Sequence, residues 1–268
     1  MTQRKKVGLV LGSGGVRGLA HIGVIRTLLK HNIPIDYLSG CSIGALIAAH
    51  FSLYQDIEKT ANITIFNKKE KLFSFLEPAI AGGLVKGEKV EQLIKEWLDD
   101  ANFEDLKIPL KVAATDLLNN DKIVFSQGRL APAIRASMSV PGFFKPVVFE
   151  HRALVDGGIS NPVPVDLVKE LGAEVVVAVN LDFFSGFDSI SPQEIGYSNL
   201  AEGTIKTLRH HLAQYSSRGA DFIIEPDLMR YSSWSGYFTN NQDGAGVKLA
   251  EKATEKIIPA LKEKIFGF

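Results

Sequence analysis

The stretch Gly40-Cys41-Ser42-Ile43-Gly44 decides how the rest of this chain is interpreted. The residues before it, 35–39, have the composition of a short buried strand, and those after it, 45–49, that of a buried helix. A Gly-x-Ser-x-Gly pattern at a strand-to-helix junction is typical of a nucleophile elbow, a sharp turn that exposes a serine hydroxyl. Larger side chains two residues before and after the serine would collide inside that turn. The pattern therefore makes Ser42 a candidate nucleophile and explains Gly40 and Gly44.

The composition limits the class of protein. The 268 residues suffice for one large α/β domain with a substantial core. Thirty Lys and Arg balance thirty Asp and Glu, which argues against a global nucleic-acid-binding surface. A single cysteine excludes an internal disulfide, and no apolar run approaches the ~20 residues that span a bilayer. The N-terminus makes a poor signal peptide because glycines interrupt its apolar run, so we expect a cytoplasmic protein.

A glycine-rich segment, Gly12-Ser13-Gly14-Gly15-Val16-Arg17-Gly18, follows the first predicted strand and leads into a helical pattern. One interpretation is a dinucleotide phosphate loop with Gly12, Gly14 and Gly18 as its glycines and Asp36 as a ribose ligand. The other is an oxyanion loop, in which N–H groups at a helix N-terminus stabilise negative charge. Both use unpaired amides. The second is favoured because Arg17 stands where the fingerprint's third glycine belongs and a serine elbow follows one strand later.

Strand and helix patterns alternate along the whole chain. Apolar and β-branched runs predict strands at 7–11, 35–39, 109–116, 122–126, 147–149, 153–155, 174–181 and 222–226. Helical periodicity connects many of them and returns in a terminal helix at 250–265. This alternation predicts a three-layer α/β/α sandwich with a mainly parallel central sheet. We expect one domain over residues 1–268, in which 183–268 completes the sheet and its covering helices.

A serine nucleophile needs a group that accepts its proton. No histidine stands in an obvious catalytic loop, and the only two that follow the candidate acid in the chain, His210 and His211, are most simply a solvated pair. The segment Asp156-Gly157-Gly158, directly after a predicted strand, offers a carboxylate instead. A free carboxyl group has a pKa of about 3.9 and is a weak base, but partial burial would raise that value. Gly157 and Gly158 would let the serine and a substrate approach closely.

Three motifs in this order, 14–18, 40–44 and 156–158, resemble those of the patatin-like phospholipase family. The segment from Ala136-Ser137 through Pro141 to Phe144 and Pro146 is similar to a further block of that family. The resemblance covers residues from about 7 to 182. The motifs together are specific to this family, whereas each motif alone is not. The overall length resembles that of compact bacterial members related to the neuropathy-target-esterase branch. The last third of the chain carries no assignable motif.

The resemblance implies the patatin-like variant of the serine-hydrolase elbow architecture and a Ser-Asp dyad of Ser42 and Asp156. It implies an oxyanion hole in the segment Gly14-Gly15-Val16-Arg17-Gly18, with the amides of the first three residues as donors and Arg17 orienting the loop. The implied reaction is hydrolysis of acyl esters of phospholipids, lysophospholipids or related lipids through an acyl-enzyme. It needs no cofactor and no metal, and the sequence has no strong metal-ligand spacing.

Two other functions stay open, a dinucleotide-binding oxidoreductase and a non-catalytic lipid-binding or regulatory module with a relic dyad. The expected partner is a lipid or acyl-ester substrate, with peripheral membrane contact as a lesser alternative and no nucleic acid. Aromatic residues at 183–187 and 231–238 are interpreted as packing, a lid or a membrane contact. An aromatic cluster at 66–76 is interpreted as a packed helix or, less favoured, as an acyl-chain groove.

Overall fold

The computed structural model describes residues 4–63, 87–182, 197–228 and 244–267. The aromatic segments at 66–76, 183–187 and 231–238 lie outside these residues. The strands of the described part are β1 Val7–Leu11, β2 Tyr37–Cys41, β3 Leu110–Asp116, β4 Asp121–Phe125, β5 Val147–Phe149, β6 Arg152–Asp156, β7 Val175–Val179 and β8 Phe222–Ile224. Its α-helices are α1 Ala20–Lys30, α2 Ile43–Tyr54, α3 Ile57–Ala61, α4 Glu88–Trp97, α5 Leu130–Ser137, α6 Val165–Glu170, α7 Tyr197–Ser217, α8 Ala245–Glu255 and α9 Ile258–Phe266.

Within the described ranges, eight strands form a single sheet in the order β5-β6-β3-β2-β1-β7-β8, with β4 paired to β3. The five strands from β3 to β8 in this order are parallel to one another. The pairs β3–β4, β3–β6 and β5–β6 are antiparallel. The prediction of a mainly parallel sheet is therefore confirmed, with an antiparallel end that the alternation alone did not predict.

Side-chain alternation along the central strands divides the core between the two faces of the sheet. In β7, Val175, Val177 and Val179 join a large cluster that includes residues of α1, α2, α5, α8 and α9. Val176 and Ala178 point the other way and join a smaller cluster with residues of α6 and α7. Because both faces are covered by helices, the central strands β1 and β7 consist almost entirely of buried apolar residues, as expected for buried parallel strands. The three-layer α/β/α sandwich is confirmed.

Several predicted boundaries differ by a few residues, and two of the differences have a clear physical cause. The elbow strand begins at Tyr37 rather than at residue 35, because the Asp36 carboxylate replaces a backbone carbonyl as acceptor for the Val7 N–H group at 2.8 Å. The predicted terminal helix is divided into α8 and α9. Pro259 lies in the first turn of α9, and a proline has no N–H group with which to continue the preceding helix. Of the described helices, none is long and apolar enough to cross a membrane.

The glycine-rich segment packs directly on the elbow. It forms a 3-10 turn, Gly15–Leu19, that continues into α1. A Cβ atom added at Gly18 would lie 2.3 Å from the Cγ1 atom of Ile43, the first residue of α2. Glycine at this position therefore lets the turn and the start of α2 touch.

Gly18→Ala should lower the free energy of unfolding by about 1–3 kcal/mol, because the new methyl group overpacks the contact with Ile43. The penalty should shrink when it is measured in an Ile43→Ala background, because the two nearest obstructing atoms, Cγ1 and Cγ2 of Ile43, are removed. Urea unfolding of the two single variants and the double variant gives both values. Equal penalties in the two backgrounds would show that this contact is not the cause.

Candidate active site

The site is organised along one edge of β3. Residues Val112 and Ala113 pair with β4 on one side and with β2 on the other. Residues 114–116 also pair with β4 but have β6 on the other side. Strands β2 and β6 therefore share this edge and approach each other end to end, β2 ending opposite Ala113 and β6 ending opposite Ala114. The last residue of β6 is Asp156, and the residue after β2 is Ser42.

Ser42 has the backbone of a nucleophile elbow. Its φ of 56° and ψ of −126° lie in a region that serine rarely adopts, and α2 begins at the next residue. The buried hydroxyl of Ser137 accepts the Ser42 N–H group at 2.8 Å and donates to the Ala113 carbonyl at 2.7 Å. A side chain on α5 thus fastens the strained turn to β3.

The Ser42 hydroxyl donates a hydrogen bond to the Asp156 carboxylate, with 2.6 Å between Oγ and Oδ2. The other carboxylate oxygen accepts the Gly158 N–H group at 2.7 Å. Both side chains are buried. Burial raises the pKa of Asp156 above its ordinary value, although the charge of Arg209 and the hydrogen bonds from Ser42 and Gly158 favour the carboxylate. The result is a serine in contact with a carboxylate whose proton affinity exceeds that of a free aspartate.

Two of the predicted glycines are needed because backbones come very close. A Cβ atom at Gly44 would lie 2.1 Å from the Leu11 carbonyl oxygen, and one at Gly157 would lie 2.3 Å from the Ala113 carbonyl oxygen. The first contact holds the start of α2 against the end of β1, where the glycine-rich segment begins. The second holds the chain after Asp156 against β3.

The amide groups of the glycine-rich segment are arranged as the start of a helix. The first backbone bond of its 3-10 turn runs from the Arg17 N–H group to the Gly14 carbonyl at 3.1 Å. The N–H groups of Gly15 and Val16 precede this bond and therefore have no acceptor within the turn. The amide of Arg17 is used inside the turn, which leaves its side chain for the orienting role. The guanidinium donates to the Gly14 carbonyl at 3.2 Å and to Asp182 at 2.8 Å.

Sequence reasoning missed two residues of the site, Asp182 and Arg209. Asp182 follows β7 and accepts bonds from Ser13 at 2.7 Å, from Arg17 at 2.8 Å and from Arg209 at 2.8 Å. Burial favours protonated Asp182, but the charges of Arg209 and Arg17 outweigh it and hold the pKa of Asp182 below its ordinary value. Polar residues follow the carboxyl end of the buried parallel strand β7, at Asn180 and Asp182. Such residues often line a site at this edge of a sheet, so they could have indicated the cluster.

None of the histidines, all of which are in described residues, bonds to Ser42 or Asp156. His21 is buried against the Gly12 carbonyl at 2.8 Å, and burial lowers its pKa to about 4. The prediction of a solvated pair was wrong for His210, whose Nδ1 atom lies 2.9 Å from the Asp182 carbonyl oxygen. His211 is exposed. The described geometry offers Asp156 as the partner of Ser42.

The proposed ribose ligand lies at the wrong end of the sheet. Asp36 bonds to the Val7 N–H group at 2.8 Å and pairs with Arg4 at 2.7 Å, both at the start of β1. The glycine-rich segment follows the other end of that strand, Leu11. The dinucleotide interpretation therefore loses its acidic residue.

A protein-family model matches the part of the chain that carries these motifs. The model for patatin-like phospholipases matches residues 9–169, more than half of the chain. The chain belongs to the patatin-like phospholipase family. An uncharacterised NTE family protein of Mycobacterium tuberculosis is 34% identical over 178 residues, which cover 66% of this chain and 49% of the relative. The mouse (Mus musculus) patatin-like phospholipase domain-containing protein 6 is 29% identical over 255 residues, or 88% of this chain and 18% of the relative.

This patatin-like chain thus spans about half the length of the first of these relatives and less than a fifth of the second. Among solved structures, VipD from Legionella pneumophila superposes with a TM-score of 0.66 at 13% identity, covering 96% of this chain and 67% of VipD. The type III effector ExoU superposes with a TM-score of 0.52 at 14% identity, covering 98% of this chain and 54% of ExoU. At these identities the likeness shows a shared fold, which agrees with the predicted architecture.

Ser137→Ala should lower the free energy of unfolding by about 1–3 kcal/mol, because the buried N–H group of Ser42 loses its acceptor. Ser126→Ala, at an exposed serine after β4, is the matched control and should change stability by less than about 0.5 kcal/mol. Urea unfolding midpoints of the two variants provide the comparison. Equal midpoints would mean that Ser137 does not stabilise the elbow.

Proposed function

We propose that this chain is a serine lipid acyl hydrolase that cleaves carboxylic esters of phospholipids, lysophospholipids or related acyl lipids. The observation that carries the proposal is the 2.6 Å hydrogen bond from the Ser42 hydroxyl to the Asp156 carboxylate. Family membership supports a lipid ester as the substrate. The match to the family extends over the elbow and the aspartate, at residues 9–169.

In the first half of the proposed reaction, Ser42 Oγ attacks the carbonyl carbon of the ester and its proton passes to Asp156 Oδ2. The carbonyl π electrons move onto oxygen and give a tetrahedral oxyanion. When this intermediate collapses, the bond to the alcohol oxygen breaks and Asp156 returns the proton to that oxygen. The products are an acyl-enzyme on Ser42 and a free alcohol. The strained elbow supports this step because it fixes the hydroxyl in place before substrate binds.

In the second half, a water molecule attacks the acyl-enzyme and gives its proton to Asp156. Collapse of the second tetrahedral intermediate releases the fatty acid, and the proton on Asp156 returns to Ser42 Oγ. The Gly158 N–H group, 2.7 Å from Asp156 Oδ1, holds the carboxylate in the same orientation through both halves.

The oxyanion is proposed to lie against the 3-10 turn of the glycine-rich segment, called the glycine-rich turn below. The N–H groups of Gly14, Gly15 and Val16 are the proposed donors. The contacts of Gly18 with Ile43 and of Gly44 with Leu11 support this because they bring the turn beside the elbow. Backbone donors fixed in a turn need little reorganisation during the reaction, and losing one typically costs about 3 kcal/mol of transition-state stabilisation.

We also propose that residues 1–268 act as one domain. Strand β8 and helix α8, both from the last third of the chain, support this because β8 pairs with β7 and α8 packs on α1. Contact with a membrane surface stays a prediction.

Ser42→Ala and Asp156→Asn should each lower turnover of short-chain nitrophenyl esters and of lysophospholipid by at least about 10³-fold, because each variant removes one member of the dyad. Asp121→Asn, at an exposed aspartate that begins β4, is the matched control and should keep wild-type turnover. Circular dichroism confirms that the variants are folded. Near wild-type turnover of either dyad variant would end the proposal, and fluorophosphonate labelling of Ser42 would exclude a relic dyad.

The pH dependence of kcat/KM should show an acidic limb set by Asp156. The base must be ionised to accept a proton, so activity rises as pH rises through the pKa of Asp156. Because burial raises this pKa, the midpoint should lie above the ordinary aspartate value of about 3.9. A limb at or below that value would contradict the assignment of Asp156 as the base.

A further inference from the structure

A buried ionic cluster joins the motif-free last third of the chain to the glycine-rich turn. Arg209 of α7 donates through Nη2 to Asp182 Oδ2 at 2.8 Å and to the Ser13 hydroxyl at 3.0 Å. The Ser13 hydroxyl in turn donates to Asp182 at 2.7 Å, and Arg17 donates to the other oxygen of the same carboxylate at 2.8 Å. The exposed fraction is 2% for the Asp182 side chain, 9% for Arg17 and 27% for Arg209.

The contacts of this cluster fall on the residues before the 3-10 turn and on Arg17 within it. Ser13 lies just before Gly14, and Arg17 reaches back to the Gly14 carbonyl at 3.2 Å. Asp182 accepts hydrogen bonds from the side chains of Ser13 and Arg17, and Arg209 of α7 bonds to both Asp182 and Ser13. A change at Arg209 therefore acts on the turn through two hydrogen-bonded partners.

Arg209 also contributes positive charge that compensates the buried carboxylate of Asp182. A buried carboxylate is costly unless it is paired, and Asp182 is paired with two guanidinium groups. The positive charge of Arg209 interacts electrostatically with both Asp182 and Asp156. The cluster of Arg17, Arg209 and Asp182 carries one net positive charge, and the charge of Arg209 lowers the pKa of the proposed base, Asp156, against the effect of burial.

We propose that Arg209 is a positioning residue of this site, which holds the glycine-rich turn over Ser42 through Asp182 and Ser13. The proposal rests on the proposed hydrolase function for its effect on turnover, but the link between Arg209 and the turn stands on the hydrogen bonds alone. Arg209 does not touch the reacting atoms in this assignment. It sets the geometry of the amide groups that would stabilise the oxyanion.

The test compares Arg209→Gln and Arg209→Lys in the 268-residue chain, with Arg218→Gln as the matched control at an exposed arginine just after α7. Arg209→Gln should lower kcat on a nitrophenyl ester by about 10- to 100-fold with little change in KM, since a misplaced catalytic group costs up to about 10²-fold. Arg209→Lys keeps the charge but lacks the planar fork, so its kcat should also fall. Active enzyme is counted by fluorophosphonate titration, so that unfolded material does not lower the apparent kcat.

The pH profile separates the charge of Arg209 from its hydrogen bonds. Among the described residues, the charged groups that act most strongly on Asp156 are Arg209 of α7 and Asp182 after β7, while burial raises the pKa of the Cys41 thiol of β2. Removing the positive charge should raise the pKa of Asp156, so the acidic limb of Arg209→Gln should move to higher pH. In Arg209→Lys and Arg218→Gln the limb should stay in place.

Hydrogen exchange of the peptide that covers residues 11–19 gives a readout that does not depend on activity. Exchange should be faster in Arg209→Gln than in wild type and unchanged in Arg218→Gln. Wild-type exchange together with wild-type kcat in both Arg209 variants would overturn the proposal, as would a loss of thermal stability at constant kcat. If wild type neither hydrolyses esters nor reacts with the fluorophosphonate, the proposed function fails, and the exchange data still decide the positioning role.

Discussion

The site depends on a single constraint, the end-to-end approach of β2 and β6 on one edge of β3. The parallel strand β2 ends opposite Ala113 of β3, and the antiparallel strand β6 ends opposite Ala114. Ser42, the residue after β2, therefore lies beside Asp156, the last residue of β6. Both residues lie at the ends of hydrogen-bonded strands, so their separation is set by the ladder rather than by a loop. This explains how the Asp156 carboxylate, with no histidine between it and the serine, can be held 2.6 Å from the Ser42 hydroxyl.

The two buried aspartates of the site, Asp156 and Asp182, have pKa values shifted in opposite directions. Asp182 has two guanidinium groups in direct contact, and these charges outweigh burial and lower its pKa. For Asp156 the largest influence is burial, which raises its pKa together with the negative charge of Asp182, and the charge of Arg209 and the hydrogen bonds from Ser42 and Gly158 do not outweigh them. The environments thus move the pKa values of the two carboxyl groups in opposite directions, and such a separation assigns acid–base roles in many enzymes.

The sequence was informative where a structural requirement is local. The elbow glycines and Gly157 mark backbone contacts that exclude a Cβ atom, so the residues around Ser42 and Asp156 already indicated the two tight turns at the site. Asp182 and Arg209 were missed because their relation exists only after α7 has packed on the sheet, and neither lies in a recognisable motif. The start of β2 was misplaced for a similar reason, since the Asp36 side chain takes a backbone acceptor's place. The antiparallel end of the sheet depends on pairing partners that periodicity does not specify.

Under the proposed mechanism, the charge balance of the site stays constant while the negative charge moves. Arg17 and Arg209 offset Asp182 and ionised Asp156 before the reaction. After proton transfer Asp156 is neutral, and the negative charge lies on the substrate oxygen at the turn that Ser13 and Arg17 border. The same guanidinium groups can therefore compensate both states, which matters because an uncompensated charge is costly in a buried site. A neutral histidine base would instead create a new positive charge in this step, so an arginine-rich cluster suits an aspartate base better.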